Sequence, residues 1–399
     1  MRVKLMLVRH GEAHAVTLGS WAPENQEFTP AALRRQVLHL TGIDTILLHD
    51  GGLSLGIHAG PVVMESLGAW PSLPGWQLDE VCAVPNARPW QRAGWFAEVR
   101  AWMDAVLAQH NETRLGEVEQ VSTYDFACVL RAATSGGVVY FKAVYRGREA
   151  AVTREVLLRW PAGLPEILAT DPARGWLLSR DGGRRLHEEA NFEIWVEAAE
   201  GLARAHRILD APALGCPVVA LQELPVQADA LFRDAEGLRD AGLSAEQVTQ
   251  LVRLLPRLEQ ARRRLAVLKL ELTACHGDAH PMNALYGPRG AVWFDWNEAH
   301  VGHPLLDAGW FLAWLMHPAR HTLPVRQAYP DSGLALWRAF LQASRIRGAE
   351  YLLGDAVLLA VLMRALRFHE HARVFAGTVP GWRPQGVSYF LRWLLREAS

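Results

Sequence analysis

The chain has 399 residues, a formal net charge of −1 at pH 7, 50% hydrophobic residues and 21% charged residues. These proportions exclude a disordered or fibrous chain, and the length predicts two or three domains. The near-neutral charge excludes a general electrostatic attraction to nucleic acid or to an anionic membrane. The four cysteines form no CxxC pair, and no apolar run is long enough for a signal-peptide core or a membrane span. We therefore expect a cytoplasmic protein with no membrane or nucleic-acid partner.

The first predicted segment, residues 1–112, mixes short strands with helices. Residues 3–8 and 44–48 have the pattern of strands, and residues 30–40 have that of a helix. A second helix is predicted at 90–109 from the helical spacing of its apolar residues. The polar stretch that follows marks the expected boundary, so we predict a small α+β accessory domain.

The second predicted segment, residues 117–180, is rich in β-branched and aromatic residues. Strands are predicted at 118–121, 128–134, 138–145, 167–170 and 176–178, with one helix at 148–160. The third of these strands contains Lys142, one of three lysines among 41 basic residues. An unpaired lysine in so apolar a strand would be costly to bury, which makes Lys142 a candidate functional residue.

The third predicted segment, residues 181–399, is mainly helical. Helices are predicted at 191–209 and 228–238, and a long helix follows Ser244, which forms a capping-box pattern with Gln247. The predicted fold class is therefore α+β, with an accessory domain, a small β-rich lobe and a large helical lobe.

The stretch CHGDAHPMN at 275–283 precedes a predicted hairpin with the four-residue turn GPRG. Such a turn places Asn283 opposite Phe294 and next to Asp295. An amide oxygen and a carboxylate that meet there suit Mg²⁺ held by few protein oxygens plus phosphates. Asp278 is left free to face a hydroxyl group.

The spacing H-x-D-x-x-x-x-N followed by an aspartate is the arrangement of a kinase catalytic loop. With HGDAHPMN, FDW at 294–296 and GHPLLDAG at 302–309, the chain resembles the aminoglycoside phosphotransferase and choline kinase family. The resemblance implies a bilobal protein-kinase-like fold, with an N-lobe at 117–180 and a C-lobe at 181–399 that holds the catalytic loop and the acceptor site. It also implies the following roles: Asp278 as catalytic base, His280 as the second histidine of the loop, Asn283 and Asp295 as magnesium ligands, and Asp307 as a brace from the next helix.

A kinase-like site needs a lysine on a central strand, which contacts the α- and β-phosphates, and an acidic partner on the next helix. Lys142 is the expected lysine. Glu149 and Glu155 are both candidates for the acid, and we favour Glu149 because it lies on the apolar stripe of the helix. It also opens the segment EAAVT, which is similar to the start of this helix in the family.

The family's nucleotide hinge follows the strand at 176–178, so the resemblance implies that backbone groups of Leu178 and Ser179 face the adenine. The loop at 122–127 lacks the G-x-G-x-x-G of protein kinases. Small-molecule kinases of this family commonly lack it too.

Two weaker patterns lie near the N-terminus. The RHGE at 9–12 is the signature of histidine phosphatases and predicts an alternative activity that depends on His10, with His49 as a candidate second histidine. A segment of about 110 residues is short for such an enzyme. The strand, loop and helix around residues 31–43 resemble a degenerate Nudix domain, in which Gln36, His39 and Leu40 stand where the metal-binding glutamates are expected.

The charge of the C-terminal region bears on the acceptor. Residues 296–399 contain eleven arginines and seven acidic residues, which disfavours a polycationic aminoglycoside and favours a neutral or anionic acceptor. The cluster of Arg364, Arg367, His369, His371 and Arg373 is a candidate for binding a carboxylate or phosphate, but a solvated helix face is the preferred interpretation.

Aromatic residues near the motifs have simpler interpretations. Trp310 and Trp314 are expected to pack beneath the catalytic loop. Trp296, Glu298 and His300 are expected either to line the acceptor pocket or to lie on the surface.

Together these patterns predict a Mg²⁺-dependent phosphotransferase that moves the γ-phosphate of ATP or GTP to a hydroxyl group of a small molecule. The alternatives are a catalytically silent nucleotide-binding protein and the histidine-type phosphatase.

Overall fold

A computed structural model describes residues 3–9, 12–18, 29–49, 62–67, 77–79, 88–123, 126–145, 147–375 and 385–398. Its strands are β1 (Val3–Arg9), β2 (Glu12–Leu18), β3 (Thr45–His49), β4 (Val62–Ser66), β5 (Gln77–Asp79), β6 (Glu119–Thr123), β7 (Ala127–Thr134), β8 (Gly137–Val144), β9 (Ile167–Asp171), β10 (Trp176–Arg180), β11 (Arg184–Arg185), β12 (Thr273–Cys275), β13 (Ala284–Gly287), β14 (Gly290–Trp293) and β15 (His300–Gly302). Its helices are α1 (Pro30–Thr41), α2 (Trp95–Gln109), α3 (Glu149–Arg159), α4 (Phe192–Ile208), α5 (Glu223–Arg233), α6 (Ala235–Asp240), α7 (Ala245–Ala266), α8 (Pro304–Met316), α9 (Pro324–Ala328), α10 (Ser332–Ser344), α11 (Leu353–Phe375) and α12 (Gln385–Ala398).

The described residues form two compact units. The first contains those up to Gly147 together with Leu168–Asp181, and the second contains the remainder. The α+β class predicted from the sequence is confirmed by these elements. The predicted limits at 1–112, 117–180 and 181–399 divide the chain differently and stay a prediction.

The first unit contains two sheets. In the described part of the chain their strand orders are β3-β4-β1-β2-β5 and β6-β7-β8-β10-β9. The side chain of Gln120 in β6 accepts a hydrogen bond from Leu47 N (3.1 Å) and donates one to Leu47 O (3.0 Å) in β3. This buried amide therefore links the two sheets, because it satisfies the backbone groups of a residue in β3.

Helix α2 packs on the second sheet. Trp95, Phe96, Val99 and Met103 share one hydrophobic core with buried residues of β7, β8 and β10. The helix begins at Trp95, five residues later than predicted. The reason is Gly94, whose φ of 86° is a left-handed conformation that glycine adopts readily and that interrupts a right-handed helix.

The second unit is mainly helical, as predicted, with two small sheets. Ser244 and Gln247 form the predicted capping box at the start of α7. The single helix predicted at 228–238 is instead the pair α5 and α6. The side chain of Asp234 between them accepts a hydrogen bond from Gly237 N (3.0 Å), and this cap starts a new helix.

Two predictions about the N-terminal segment are not decided by the fold. His10 and the side chain of His49 lie outside the described residues, so the phosphatase motif stays a prediction. The Nudix resemblance also stays a prediction. None of the helices in the described part of the chain combines the length and apolar character needed to cross a membrane.

Candidate active site

The stretch at 275–283 forms a tight loop between β12 and β13. Strand β12 pairs with β15, so that Cys275 lies opposite His300. Gly277 has a φ of 82°, and a Cβ atom at this position would collide with the backbone oxygen of Glu298. The glycine is therefore required, both by its backbone conformation and by the close approach of the segment before β15.

Asp307 holds this loop from the first turn of α8. Its Oδ2 accepts a hydrogen bond from His276 N (2.5 Å), and its Oδ1 accepts one from Gly277 N (2.8 Å). The His206 Nε2 lies 3.0 Å from the same Oδ2. Burial raises the pKa of this carboxyl, but the hydrogen bond and charge of His206, with the nearby His300 and His276, outweigh burial and lower the pKa to about 2. The bracing role implied for Asp307 is confirmed.

His276 joins the loop to the segment that carries Asp295. Its Nε2 donates to the carbonyl oxygen of Phe294 (2.9 Å), and its Nδ1 accepts from Asp278 N (3.3 Å). Complete burial lowers the pKa of this ring, although the charges of Asp307, Asp278 and Asp295 act in the opposite direction. A neutral ring supplies the one donor and the one acceptor that this arrangement uses.

Of the two carboxylate oxygens of Asp278, only Oδ1 is held by close polar contacts with other described residues. Its Oδ1 accepts a hydrogen bond from Trp310 Nε1 (2.9 Å) and lies 3.2 Å from Nη2 of Arg364. Its Oδ2 lies 3.7 Å from His280 Nε2. The expectation that Asp278 is left free was therefore wrong for Oδ1, because α8 and α11 each bring a donor to that oxygen. Oδ2 has no hydrogen-bond donor among the described residues, and the predicted role of Asp278 as catalytic base stays a prediction.

His280 is a neutral, oriented ring beside Asp278. Its Nδ1 accepts a hydrogen bond from Met282 N (3.2 Å), so the proton is on Nε2, which faces Asp278. Burial lowers the pKa of His280 to about 4, against the opposing charge of Asp278. The ring stacks on Trp314, with 6.0 Å between centroids. The predicted packing of Trp310 and Trp314 beneath the loop is confirmed.

The hairpin has the predicted register. Asn283 O accepts a hydrogen bond from Phe294 N (3.1 Å), which places Asp295 next to the pair, and Asn283 Nδ2 donates to Asp278 O (3.1 Å). Asp295 has φ 64° and ψ 57°, a left-handed backbone that is uncommon outside glycine and often marks functional sites. The Asn283 amide and the Asp295 carboxylate are hard oxygen donors, and this donor set fits Mg²⁺.

A second group of potential metal ligands is buried next to the loop. Atoms of His206, Cys275 and Asp307 all lie within 4.8 Å of one another. Both oxygens of Asp307 already accept hydrogen bonds, and burial raises the pKa of the Cys275 thiol well above 9.0. A cysteine binds metal as the thiolate, so this buried group does not fit a metal site.

The first unit contains Lys142, Leu178 and Ser179 of the predicted nucleotide-binding residues, and the second unit contains Glu149. Lys142 lies on β8, the central strand of its sheet, between Val129 of β7 and Leu177 of β10. Leu178 and Ser179 pair with Phe141 and Tyr140, so both lie inside β10. Strand β10 continues to Arg180, two residues beyond the predicted end, and the connecting segment begins at Asp181. The roles of Lys142, Leu178 and Ser179 stay predictions.

The two candidate acids on α3 differ in environment. Glu149 is buried with Val152 and Val156, as its position on the apolar stripe predicts. Glu155 is partly exposed and lies 3.6 Å from Arg159 and 3.7 Å from Arg154 of the same helix. This difference favours Glu149 for an internal role, although its pairing with Lys142 stays a prediction.

The structure corrects the interpretation of Arg364 and removes one of the two alternatives for Trp296 and His300. Arg364 is only 6% exposed, so the preferred interpretation of a solvated helix face was wrong for this residue. Trp296 and His300 are buried, which excludes the surface placement for both. The ion pair of Arg364 with Asp278 was not predicted, because the two residues are distant in the chain. The excess of arginine in this region was the one available signal.

Comparison with known proteins identifies the family of the chain. The model of a family described as the Phosphotransferase enzyme family matches residues 123–342, more than half of the chain. The chain belongs to this family. The resemblance predicted from HGDAHPMN is therefore confirmed, and the protein is a small-molecule phosphotransferase. Among curated proteins, no match was found.

Solved structures resemble this phosphotransferase in fold. A choline/ethanolamine kinase family protein from Mesorhizobium loti is 19% identical, with a TM-score of 0.50, over 76% of this chain and 98% of its own. A choline kinase from Cryptosporidium parvum Iowa II is 13% identical, with a TM-score of 0.50, over 70% of this chain and 88% of its own. These likenesses confirm the predicted protein-kinase-like fold.

Proposed function

We propose that this phosphotransferase moves the γ-phosphate of ATP or GTP to a hydroxyl group of a small neutral or anionic acceptor, with Mg²⁺ as cofactor. The observation that carries the proposal is the way in which the two carboxylate oxygens of Asp278 are held. One oxygen is held by Trp310 and Arg364, and the other faces His280 beyond hydrogen-bond distance. A carboxylate fixed in this way suits a group that orients a hydroxyl nucleophile and receives its proton.

In this proposal the acceptor oxygen attacks the γ-phosphorus, the hydroxyl proton passes to Asp278 Oδ2, and the nucleoside diphosphate leaves. The protein contributes mainly orientation and electrostatic stabilisation. His280 is neutral, so its Nε2–H can donate to the carboxylate or to the incoming oxygen without adding a charge.

Asn283 and Asp295 are the residues that would hold Mg²⁺. When bound, the ion neutralises charge on the phosphates. The link through His276 supports this assignment, because it holds the backbone of Phe294, one residue before Asp295, against the loop that carries Asp278.

Lys142 is the proposed ligand of the α- and β-phosphates, and Glu149 is its proposed partner. The central position of β8 and the burial of Glu149 support these roles. The backbone of Leu178 and Ser179 is the proposed contact for the adenine.

The test is a thermal-shift titration with ATP and GTP, each with and without Mg²⁺. We expect Mg²⁺-dependent stabilisation of the wild type and its loss in Asp295→Asn. Asparagine tolerates the left-handed backbone of this position, so the variant removes charge with little strain. Asp331→Asn, an exposed site before α10, is the matched control and should behave like the wild type.

Asp278→Asn separates binding from transfer. The variant keeps an oxygen that can accept the Trp310 hydrogen bond, so we expect it to retain the Mg²⁺–nucleotide shift. It should lose Mg²⁺-dependent release of nucleoside diphosphate, because an amide cannot take the proton. No shift with either nucleotide in the wild type would contradict the proposed function. A shift without any release would favour the catalytically silent alternative.

A further inference from the structure

Helix α11 presents a cationic face to the catalytic loop. Arg367, Phe368 and His371 lie three, four and seven residues after Arg364, so all four lie on one side of the helix. Arg364 contacts the loop through Gly277 O (3.3 Å) and Asp278 Oδ1 (3.2 Å). The face therefore begins at the catalytic aspartate and continues along the helix.

The donors of this face are not all used. The Nε of Arg364 and the Nη2 of Arg367 are buried and have no hydrogen-bond partner among the described residues. Arg364 is nine-tenths buried, and its guanidinium lies 5.3 Å from the Trp310 ring and 5.4 Å from the Phe368 ring. Buried guanidinium donors without an acceptor are unfavourable, so these two nitrogens are available to an acceptor that the described residues do not supply.

The nearby acids do not supply that group. Asp278 lies beside Nη2 of Arg364, and Glu298 lies 3.5 Å from His371 Nε2. Within the described ranges, no carboxylate lies within ion-pair distance of Arg367. Burial lowers the pKa of His300, and the charge of Arg367 lowers it further. The Nε2 of this ring has no hydrogen-bond partner among the described residues, and its Nδ1 lies 3.3 Å from Glu298 O. That ring offers no compensating negative charge.

We propose that Arg364 and Arg367 form an oxyanion subsite for the acceptor, which is then an alcohol that also carries a carboxylate or phosphate group. This inference rests on the proposed function and narrows its acceptor class. The anion binds at Nε of Arg364 and Nη2 of Arg367, one helical turn apart, and leaves the contact of Arg364 with Asp278 in place. Arg364 therefore links the anchored end of the acceptor to the residue that receives its hydroxyl proton. Guanidinium groups suit this role because they form paired, charge-assisted hydrogen bonds with oxyanions.

The test uses simple anions as probes: acetate, glycolate and inorganic phosphate, with chloride as the ionic-strength control. Each is titrated in a thermal-shift assay on the full chain, with Mg²⁺ and a non-hydrolysable ATP analogue present so that the proposed phosphate-binding residues are occupied. We expect oxyanions to stabilise the wild type beyond chloride. We expect Arg367→Gln to weaken their binding about tenfold or more, as loss of a charge-assisted contact predicts.

Two further variants test whether the anion response depends on the guanidinium group of Arg367. Arg338→Gln removes the same charge from an exposed position of α10 and should bind the anions like the wild type. Arg367→Lys keeps the charge but loses the planar donor pair, so it should bind carboxylate more weakly than the wild type even if Arg367→Gln is unstable.

The outcomes separate this inference from the proposed function. Stabilisation by acetate and glycolate would identify the acceptor as a hydroxy acid. Stabilisation by phosphate alone would identify it as a phosphorylated alcohol. Either result supports the subsite. An oxyanion response that is absent in the wild type, or equal in wild type and both Arg367 variants, overturns it. A missing shift with the ATP analogue itself would instead count against the proposed function.

Discussion

The indole Nε1 of Trp310 donates a 2.9 Å hydrogen bond to Oδ1 of Asp278. The indole N–H is only a donor, so it directs one specific oxygen of the carboxylate toward α8. Trp310 itself is buried against Phe390 and Trp393 of α12. A rigid aromatic cluster therefore sets the orientation of the proposed catalytic base.

Trp310→Phe should lower kcat about tenfold, the effect of losing one hydrogen bond to a charged group. The KM for Mg–ATP should change little, because the substitution affects the orientation of Asp278 and leaves the nucleotide-binding residues unaltered. Steady-state kinetics of nucleoside diphosphate release would measure both. Trp314→Phe is the control, since it preserves an aromatic surface for His280. Equal losses of kcat in the two variants would show that general packing is the cause.

Lys142→Met should raise the KM for the nucleotide and lower kcat. The substitution keeps the apolar stem in β8 but removes the ammonium group proposed to bind the phosphates. Lys269→Met changes an exposed lysine and should leave both parameters as in the wild type. Unchanged kinetics for Lys142→Met would reject the phosphate-binding role.

Asp307→Asn should lower the unfolding midpoint by about 10 °C, as expected when a buried charged network loses one partner. Oδ1 and Oδ2 both accept backbone hydrogen bonds, and an amide replaces one of these acceptors with a donor. Thermal unfolding followed by circular dichroism would measure the loss, with exposed Asp331→Asn as the control. A midpoint within 2 °C of the wild type would contradict the bracing role, since about 1 kcal/mol corresponds to a few degrees.

The free energy of unfolding should fall as the pH falls from 6.5 toward 4. Burial lowers the pKa values of His280, His300 and His303 to about 4, below the ordinary value of 6.5. Over this interval the unfolded chain binds protons that the folded protein does not, so acid favours unfolding. Urea titrations at pH 7, 6 and 5 would measure the slope.

His303→Leu should flatten that slope, because it removes one buried titrating ring whose two nitrogens have no hydrogen-bond partner among the described residues. Exposed His321→Leu should leave the slope as it is. A wild-type stability that is constant between pH 7 and 5 would show that these rings do not remain neutral in the folded protein.

The sequence by itself determined the family, the class of fold and the local geometry of the loop. The hairpin register that places Asn283 opposite Phe294 followed from a four-residue turn, and the cap at Ser244 followed from its spacing to Gln247. These features depend on neighbouring residues, whose interactions are set by covalent spacing. Asp278, Asn283 and Asp295 also lie close together in the chain, so covalent spacing brings them near one another as well.

Only the tertiary structure decided what holds Asp278 and which oxygen it leaves available. Trp310 and Arg364 contact the same oxygen from α8 and α11, and the periodicity of neither helix identifies which buried residue donates to an aspartate far away in the chain. Contacts between segments far apart in the chain depend on how whole helices pack, and helix packing is a collective result of many weak contacts.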